Sequence, residues 1–247
     1  MKKVLAFILV AILGYFMITG LMTAQEFSTY GNVNLDEKIS RNFIDKDVNG
    51  KSDEIIYGQT SNPETGSANY VTSIIANYRI FDTLGEVTVL FVSALGVSLL
   101  FGKNTKKYNF YESNFILKTA SKMIFGLILV VGIYIFVHGH LTPGGGFPGG
   151  AMIASSILLM YLADNEFKAN INKFKQAESL SGSLILVIGL LGIVTSGYFF
   201  YNFLPTGTVG ETFSAGIIPI IYTLIGLKVG SELSGVIYNF MLEGGEQ

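Results

Sequence analysis

An all-α integral membrane protein of six transmembrane helices is the fold class this 247-residue sequence predicts, and three features predict it. Half of the residues are hydrophobic and only 14% are charged, with a mean hydropathy of +0.50. A soluble domain of this length has no core able to absorb that much apolar surface. Six apolar stretches approach the roughly 20 residues that a helix rising 1.5 Å per residue needs to cross about 30 Å of hydrocarbon. Lysines also collect in alternate connections between those stretches.

The stretches run approximately from Val4 to Met22, Leu84 to Phe101, Met123 to Val137, Ala151 to Ala163, Leu180 to Phe200 and Ile217 to Leu242. The third and fourth are short unless their flanks also lie in the membrane. The first follows Lys2 and Lys3 and is long for a signal peptide, so it is expected to be an uncleaved anchor. Between the first and second lies a polar segment, Thr23 to Asn69, with eight acids against four bases, which reads as an exposed extension. Lys103, Lys106, Lys107, Lys118 and Lys122 follow the second stretch, and Lys168, Lys173 and Lys175 follow the fourth. Positive residues mark cytoplasmic loops, so both termini are expected inside a cell membrane crossed several times.

Composition also excludes classes. A net charge of -2 without a long basic block gives no nucleic-acid partner a footprint. The absence of cysteine removes disulfides and thiolate-held clusters, and two histidines leave little for haem or zinc, so no cofactor is expected and redox chemistry would belong to other chains. Organisation follows from the loops: residues 1–102 form a two-helix module with the external arm 23–69, residues 103–118 a cytoplasmic linker, and residues 119–247 a four-helix module.

Polar groups inside the apolar stretches are the candidate functional residues. Lys228 and Glu232 stand four apart in the last stretch, on one helix face near mid-membrane. A static ion pair and a proton or cation relay both fit them, since a desolvated lysine exchanges its proton near neutral pH. Gly226 and Gly230 form a step that admits a neighbouring backbone, and Pro219 is expected to kink the approach. At the second stretch, Arg79, Asp82 and Glu86 fall on one descending face. Glu86 would lie deepest, serving cation or proton passage or pairing with Arg79 or another subunit.

Both histidines, His138 and His140, precede Pro143, Gly144, Gly145, Gly146, Phe147 and Pro148. Glycines flanked by prolines predict non-helical backbone at the membrane boundary, which survives there only inside protein or beside water. Titrating histidines suit proton exchange, exposed carbonyls suit a passing sodium ion, and a tight packing turn suits the segment equally. In the arm, Asp45, Asp47, Asn49 and Asp53, with Gly50, match the start of a calcium loop, although Ile56 stands where its last ligand, a glutamate, belongs; a solvated turn is the default.

These residues carry a resemblance. His138 to Phe147 resembles the HGH-x-TPGGGF signature of the MnhB/MrpB domain of Mrp-type sodium/proton antiporters, and Gly226 to Leu233 resembles that domain's final helix. Thr65 to Glu86 is similar to the MbhE component of membrane-bound hydrogenases. The resemblance implies an MbhE-like module fused to an MbhF/MrpB-like one. It implies a non-redox subunit holding part of a sodium or proton path beside other membrane subunits, free-standing or attached to a hydrogenase or sulfur-reducing complex. Na+ and H+ would then be the transported ions, and Asp82, Glu86, His138, Pro143, Phe147, Lys228 and Glu232 would lie in the family motifs. The other implied role is a scaffold that seals such a complex with no transport residues of its own.

Overall fold

A computed structural model of the protein describes residues 2–23, 39–48, 50, 55–101 and 114–243. Among them all regular structure is helical, apart from one isolated bridge between Ser61 and Thr208. The helices are α1 (Lys2–Thr23), α2 (Ile39–Asp45), α3 (Tyr70–Thr72) running into a π-helical turn (Ser73–Tyr78), α4 (Ile80–Phe101), α5 (Phe115–Val137), α6 (Gly146–Ala163), α7 (Ile171–Ser196) and α8 (Ile218–Glu243). Two compact units contain them, Met1–Asn42 and Phe43–Gln247.

Five helices are long and apolar enough to cross a membrane: α4, α5, α6, α7 and α8. In α1 the described apolar stretch is shorter, Phe7–Gly20, so among the described residues five of the six expected crossings are full length. Several helices begin earlier than the apolar runs do. Asn114 accepts a hydrogen bond from the Leu117 amide at 2.8 Å, and Asn170 from that of Lys173 at 3.2 Å. Each satisfies an otherwise free donor of a helix's first turn. Helix therefore extends through Lys118 and Lys122 on α5 and through Lys173 and Lys175 on α7, residues whose charge alone reads as loop. Lys103, Lys106 and Lys107, with most of the linker 103–118, lie outside the described residues.

Proline placement corrects two further expectations. Helix α6 begins at Gly146, so Phe147, Pro148, Gly149 and Gly150 are helical and irregular backbone is confined to the residues before them. Pro148 stands in the first turn, where its missing N–H costs nothing. Pro219 likewise stands in the first turn of α8, so it opens that helix and kinks nothing.

Helix α8 is the hub, packed against α4, α5, α6 and α7. Ile217, Ile218, Ile221, Tyr222, Ile225 and Val229 form its buried stripe. The tightest approach is to α6, where a Cβ on Gly150 would lie 2.8 Å from the Gly226 carbonyl oxygen and 2.8 Å from the Gly230 nitrogen. Of the two glycines of α8, Gly230 faces Gly150 of α6, while a Cβ on Gly226 would strike the Phe136 ring of α5, so the step serves two neighbours and not one. Across the bundle, Asp164 at the end of α6 holds Lys118 at 2.9 Å and Lys122 at 3.3 Å, both on α5. Those cations, Lys118 foremost, hold the Asp164 carboxyl at about 2.

Most described residues of the arm up to Asn62 are exposed, as its polarity predicts, but Lys46 and the stretch from Pro63 to Ser67 turn into the protein. Lys46, with φ 55°, is buried, donates to the Ser67 carbonyl and lies 4.8 Å over the Tyr70 ring. Thr65 and Ser67 are wholly buried.

Replacing Gly150 with valine should separate α6 from α8. Overpacking of this kind costs about 1–3 kcal/mol, and the expected result is a lower melting temperature of the detergent-solubilised protein. An unchanged melting curve for Gly150→Val would contradict the close approach.

Candidate functional site

The bundle has one end built of irregular chain and one built of charge. At the first, the connection between α5 and α6 meets the segment 65–73 and the connection between α7 and α8. His138 ends α5, with Nδ1 3.2 Å from the Tyr134 carbonyl and its ring stacked on Tyr134 at 4.4 Å. Gly145, with φ +147°, then turns the chain into α6 in a conformation that an L side chain resists. Gly144 and Gly139 sit where a Cβ would strike the Ile135 carbonyl and the Tyr222 ring.

Three carbonyls that precede the glycine run are already taken by hydrogen bonds. The Gly139 carbonyl accepts from Asn69 Nδ2 at 3.0 Å and from Thr72 Oγ1 at 2.7 Å. That of His140 accepts from Ser67 Oγ at 2.8 Å and from the Asn69 amide at 3.1 Å, and that of Thr142 from Asn69 Nδ2 at 3.0 Å. Asn69 also caps α3, accepting from the Val71 amide at 3.0 Å. Buried backbone oxygens need such donors, and a polar segment about 70 residues earlier supplies them. Tyr222 Oη of α8 completes the network with a 3.2 Å bond to Thr72 Oγ1. Of these partners, the sequence marks Asn69 only by its capping position; Ser67, Thr72 and Tyr222 carry no local signal.

His140 is fully buried, with Nε2 3.2 Å from the Thr212 carbonyl and Nδ1 without a partner. Burial pushes its pKa below the usual histidine value, so the ring is held neutral. Asp82 is exposed and paired with Arg79 at 2.5 Å, an interfacial contact. Glu86 occupies an exposed face of α4 and makes no ion pair among the described residues. Leu84, Val87, Thr88 and Phe91 turn instead towards α7 and α8. Arg79 and Asp82 therefore stay at the margin of the bundle, whereas Glu86, though exposed, lies near enough for its charge to act on buried Tyr222 of α8. Asn49 and Asp53 lie outside the described residues, and no cluster of three or more metal-ligating side chains occurs among those described.

The charged pair lies deep in α8. Lys228 Nζ is 3.2 Å from Glu232 Oε2, with side-chain exposures of 8% and 1%. At 1.5 Å per residue, Lys228 stands about 15 Å along the helix from Ile218, near the middle of a crossing. Its ammonium also lies 4.8 Å over the ring of Phe91 on α4, a desolvated cation–π contact. Glu232 Oε1 has no hydrogen-bond partner. Breaking such a buried pair by removing one partner costs about 3–5 kcal/mol, so the pair is either permanent or exchanges a proton in place of a charge.

Taken together, the fold and site define a multi-pass helical membrane protein whose innermost helix carries a buried acid–base pair. Comparison with known proteins narrows that class. Residues 116–235 match the domain related to the MnhB subunit of Na+/H+ antiporters, and residues 3–107 match the MbhE family, a component of the MBH complex. The protein MJ1307 of Methanocaldococcus jannaschii is 32% identical over 197 residues, covering 67% of this chain and 74% of that one. Antiporter subunit mnhB2 of Staphylococcus aureus is 32% identical over 80 residues, 32% of this chain and 53% of its own length, so the match takes in about half of that protein. Among solved structures, a chain of the membrane-bound sulfane sulfur reductase, an archaeal respiratory membrane complex, superposes with a TM-score of 0.70 at 39% identity over 97% of this chain and 98% of that one. A chain of the Mrp complex from Dietzia sp. DQ12-45-1b shares the fold, with a TM-score of 0.63 at 19% identity over 100% of this chain and 26% of that one. The chain belongs to the same family as MJ1307 and the sulfane sulfur reductase chain, with an MbhE region, residues 3–107, preceding an MnhB-related domain, residues 116–235.

Two measurements check the site's scaffold. Asn69→Ala removes donors to two loop carbonyls and should cost about 1 kcal/mol for each bond lost, read as a lower melting temperature in detergent; Gln59→Ala, at an exposed position of the arm, is the comparison. For His140 the folded pKa lies below the unfolded one, so its neutral form contributes stability that is fully present above about pH 6.5 and is lost as pH falls through the lower folded value. Melting temperatures taken from pH 8 to pH 5 should fall less steeply for His140→Gln than for the native chain.

Proposed function

We propose that this chain is a membrane subunit of a multisubunit Mrp-type sodium/proton exchange module and that Lys228 and Glu232 are its proton-handling pair. The observation that carries this reading is a lysine and a glutamate buried mid-helix at 3.2 Å with one carboxylate oxygen left unpartnered. Membrane helices retain such groups where charge or protons move. The chain crosses the membrane six times when α1 is included, with both termini cytoplasmic, and residues 1–102 and 119–247 form its two modules around the linker 103–118. Its host is a complex of the kind to which its relatives belong, an Mrp antiporter or a respiratory complex such as the sulfane sulfur reductase.

Within that complex Glu86 faces a neighbouring subunit. A carboxylate on the exposed face of a membrane helix is costly in lipid and needs a cation or a water-filled contact from another chain. Asp82 and Arg79 mark the membrane boundary beside it. His138, His140, Pro143 and the glycines Gly144, Gly145 and Gly146, with Phe147, seal the end of the bundle and hold α5, α6 and α8 in register. Sodium then crosses at the interface with a partner and not through the loop's hydrogen-bonded carbonyls.

The test is transport by the purified complex in proteoliposomes. Lys228→Ala and Glu86→Ala should each abolish sodium-dependent proton movement while the complex still assembles. Native transport rates would remove those residues from the path. Loss of the complex itself would favour the scaffold reading, in which the buried charges serve assembly.

A further inference from the structure

Two adjoining clefts lie between α4, α7 and α8, and they contain a carboxylate that none of the sequence motifs includes. One, of about 230 Å³, is lined by Glu232, Ser231 and Asn239 of α8, Lys175 and Glu178 of α7, and Ser98 of α4 among others. The second, of about 320 Å³, reaches Lys228 and is otherwise largely apolar. Glu178 and Phe91 line both. The first cleft also touches Ile171, Phe174 and Asn239, so it runs towards the end of the bundle where α7 begins and α8 finishes. Glu178 stands about 10 Å from that start, at 1.5 Å for each residue after Ile171.

Three independent features coincide there. Glu232 is almost wholly buried, yet its Oε1 lacks a partner and its side chain lines the cleft. Such an oxygen in a polar recess calls for water or a proton. Glu178, half-buried, lines the same recess and the one that reaches Lys228. The recess carries hydroxyl and amide groups, Ser98, Ser231 and Asn239, that can order a short water chain.

We propose that this cleft is a water-filled half-channel from one membrane face and that Glu178 is the carboxylate which passes protons between bulk water and the Lys228–Glu232 pair. The proposal rests on the reading of that pair as a proton-handling element. A hydronium ion at the mouth protonates the Glu178 carboxylate, and Glu178 passes that proton through water to Glu232 Oε1. Neutralising Glu232 dissolves its ion pair and leaves the Lys228 ammonium over the Phe91 ring. Lys228 then gives up its proton to a water or carboxylate of a neighbouring subunit, and Glu232 passes its own proton to the free Lys228 amine, which restores the charged pair with one proton taken in and one released. The charged groups facing Glu178 are Lys228 and Glu232 from α8 and Lys175 from its own helix; α4 contributes only Thr88 and Ser98 as polar groups to the clefts.

The natural absence of cysteine makes the cleft directly testable. In the intact complex, Asn239→Cys and Ser231→Cys should react with a small, charged, membrane-impermeant thiol reagent, read on this chain by mass spectrometry. Ser156→Cys, fully buried in α6 and away from the cleft, should stay unmodified. In proteoliposomes, Glu178→Gln should lose sodium-driven proton movement with assembly intact, and Glu178→Asp should keep part of it with a displaced pH profile, which a purely structural carboxylate would not produce. An inert Ser231→Cys, or native transport by Glu178→Gln, overturns the half-channel. If Lys228→Ala is inactive while Glu178→Gln is native, only this inference fails; if both are native, the reading of the pair fails with it. Should Glu178→Gln not assemble, Glu178→Asp decides: an unaltered pH profile rejects the relay.

Discussion

Hydrocarbon offers no hydrogen bonds, and every feature of this molecule that is not simply apolar answers to that constraint. A helix satisfies its own backbone, but its ends and its connections do not. The connection between α5 and α6 is the hardest case, because glycines and prolines leave its carbonyls without helical partners. The solution lies far away in sequence: Ser67, Asn69 and Thr72 supply the donors, and Tyr222 of α8 ties them to the inner helix. Removing the polar segment before α3 would leave several buried oxygens bare, so residues 67–72 are tied energetically to the end of the four-helix region.

Close packing of α8 follows from the same constraint. Lipid is as apolar as leucine, so helices gain little from burying apolar area and much from close approach. Gly150 of α6 meets the α8 backbone at Gly226 and Gly230, and Gly226 makes room for the Phe136 ring of α5. That contact leaves the opposite side of α8, with Lys228 and Glu232, to α4 and α7. The pair is thereby enclosed on one flank by well-packed protein and opened on the other to a polar recess. An acid–base pair enclosed on all sides would be locked in its charged form, and one fully open would be screened like any surface pair. The proposed proton exchange relies on that intermediate placement.

The charged end of the bundle does different work. Asp164 draws Lys118 and Lys122 together and clasps α5 to α6 where neither helix has glycines to interlock. Because these charges lie near helix ends, the lysines retain access to water while neutralising the acid.

Much of this was legible in the residues alone. Length and hydropathy determine that the chain is helical and membrane-embedded, since the bilayer imposes both. The spacing of Lys228 and Glu232 determines that they pair, because 3.6 residues per turn puts i and i+4 side by side. The HGH-x-TPGGGF run, by its composition, determines a break between helices. Tertiary structure decided the rest. It decided that the carbonyls of Gly139, His140 and Thr142 are taken up by the segment before α4 and that Glu86 lies on an exposed side of α4. It decided too that Glu178, unremarkable on the polar opening turns of α7, faces the same recess as Glu232. Periodicity reports which residues share a face of one helix; which neighbour that face meets depends on the packing of all five, and no local signal encodes it.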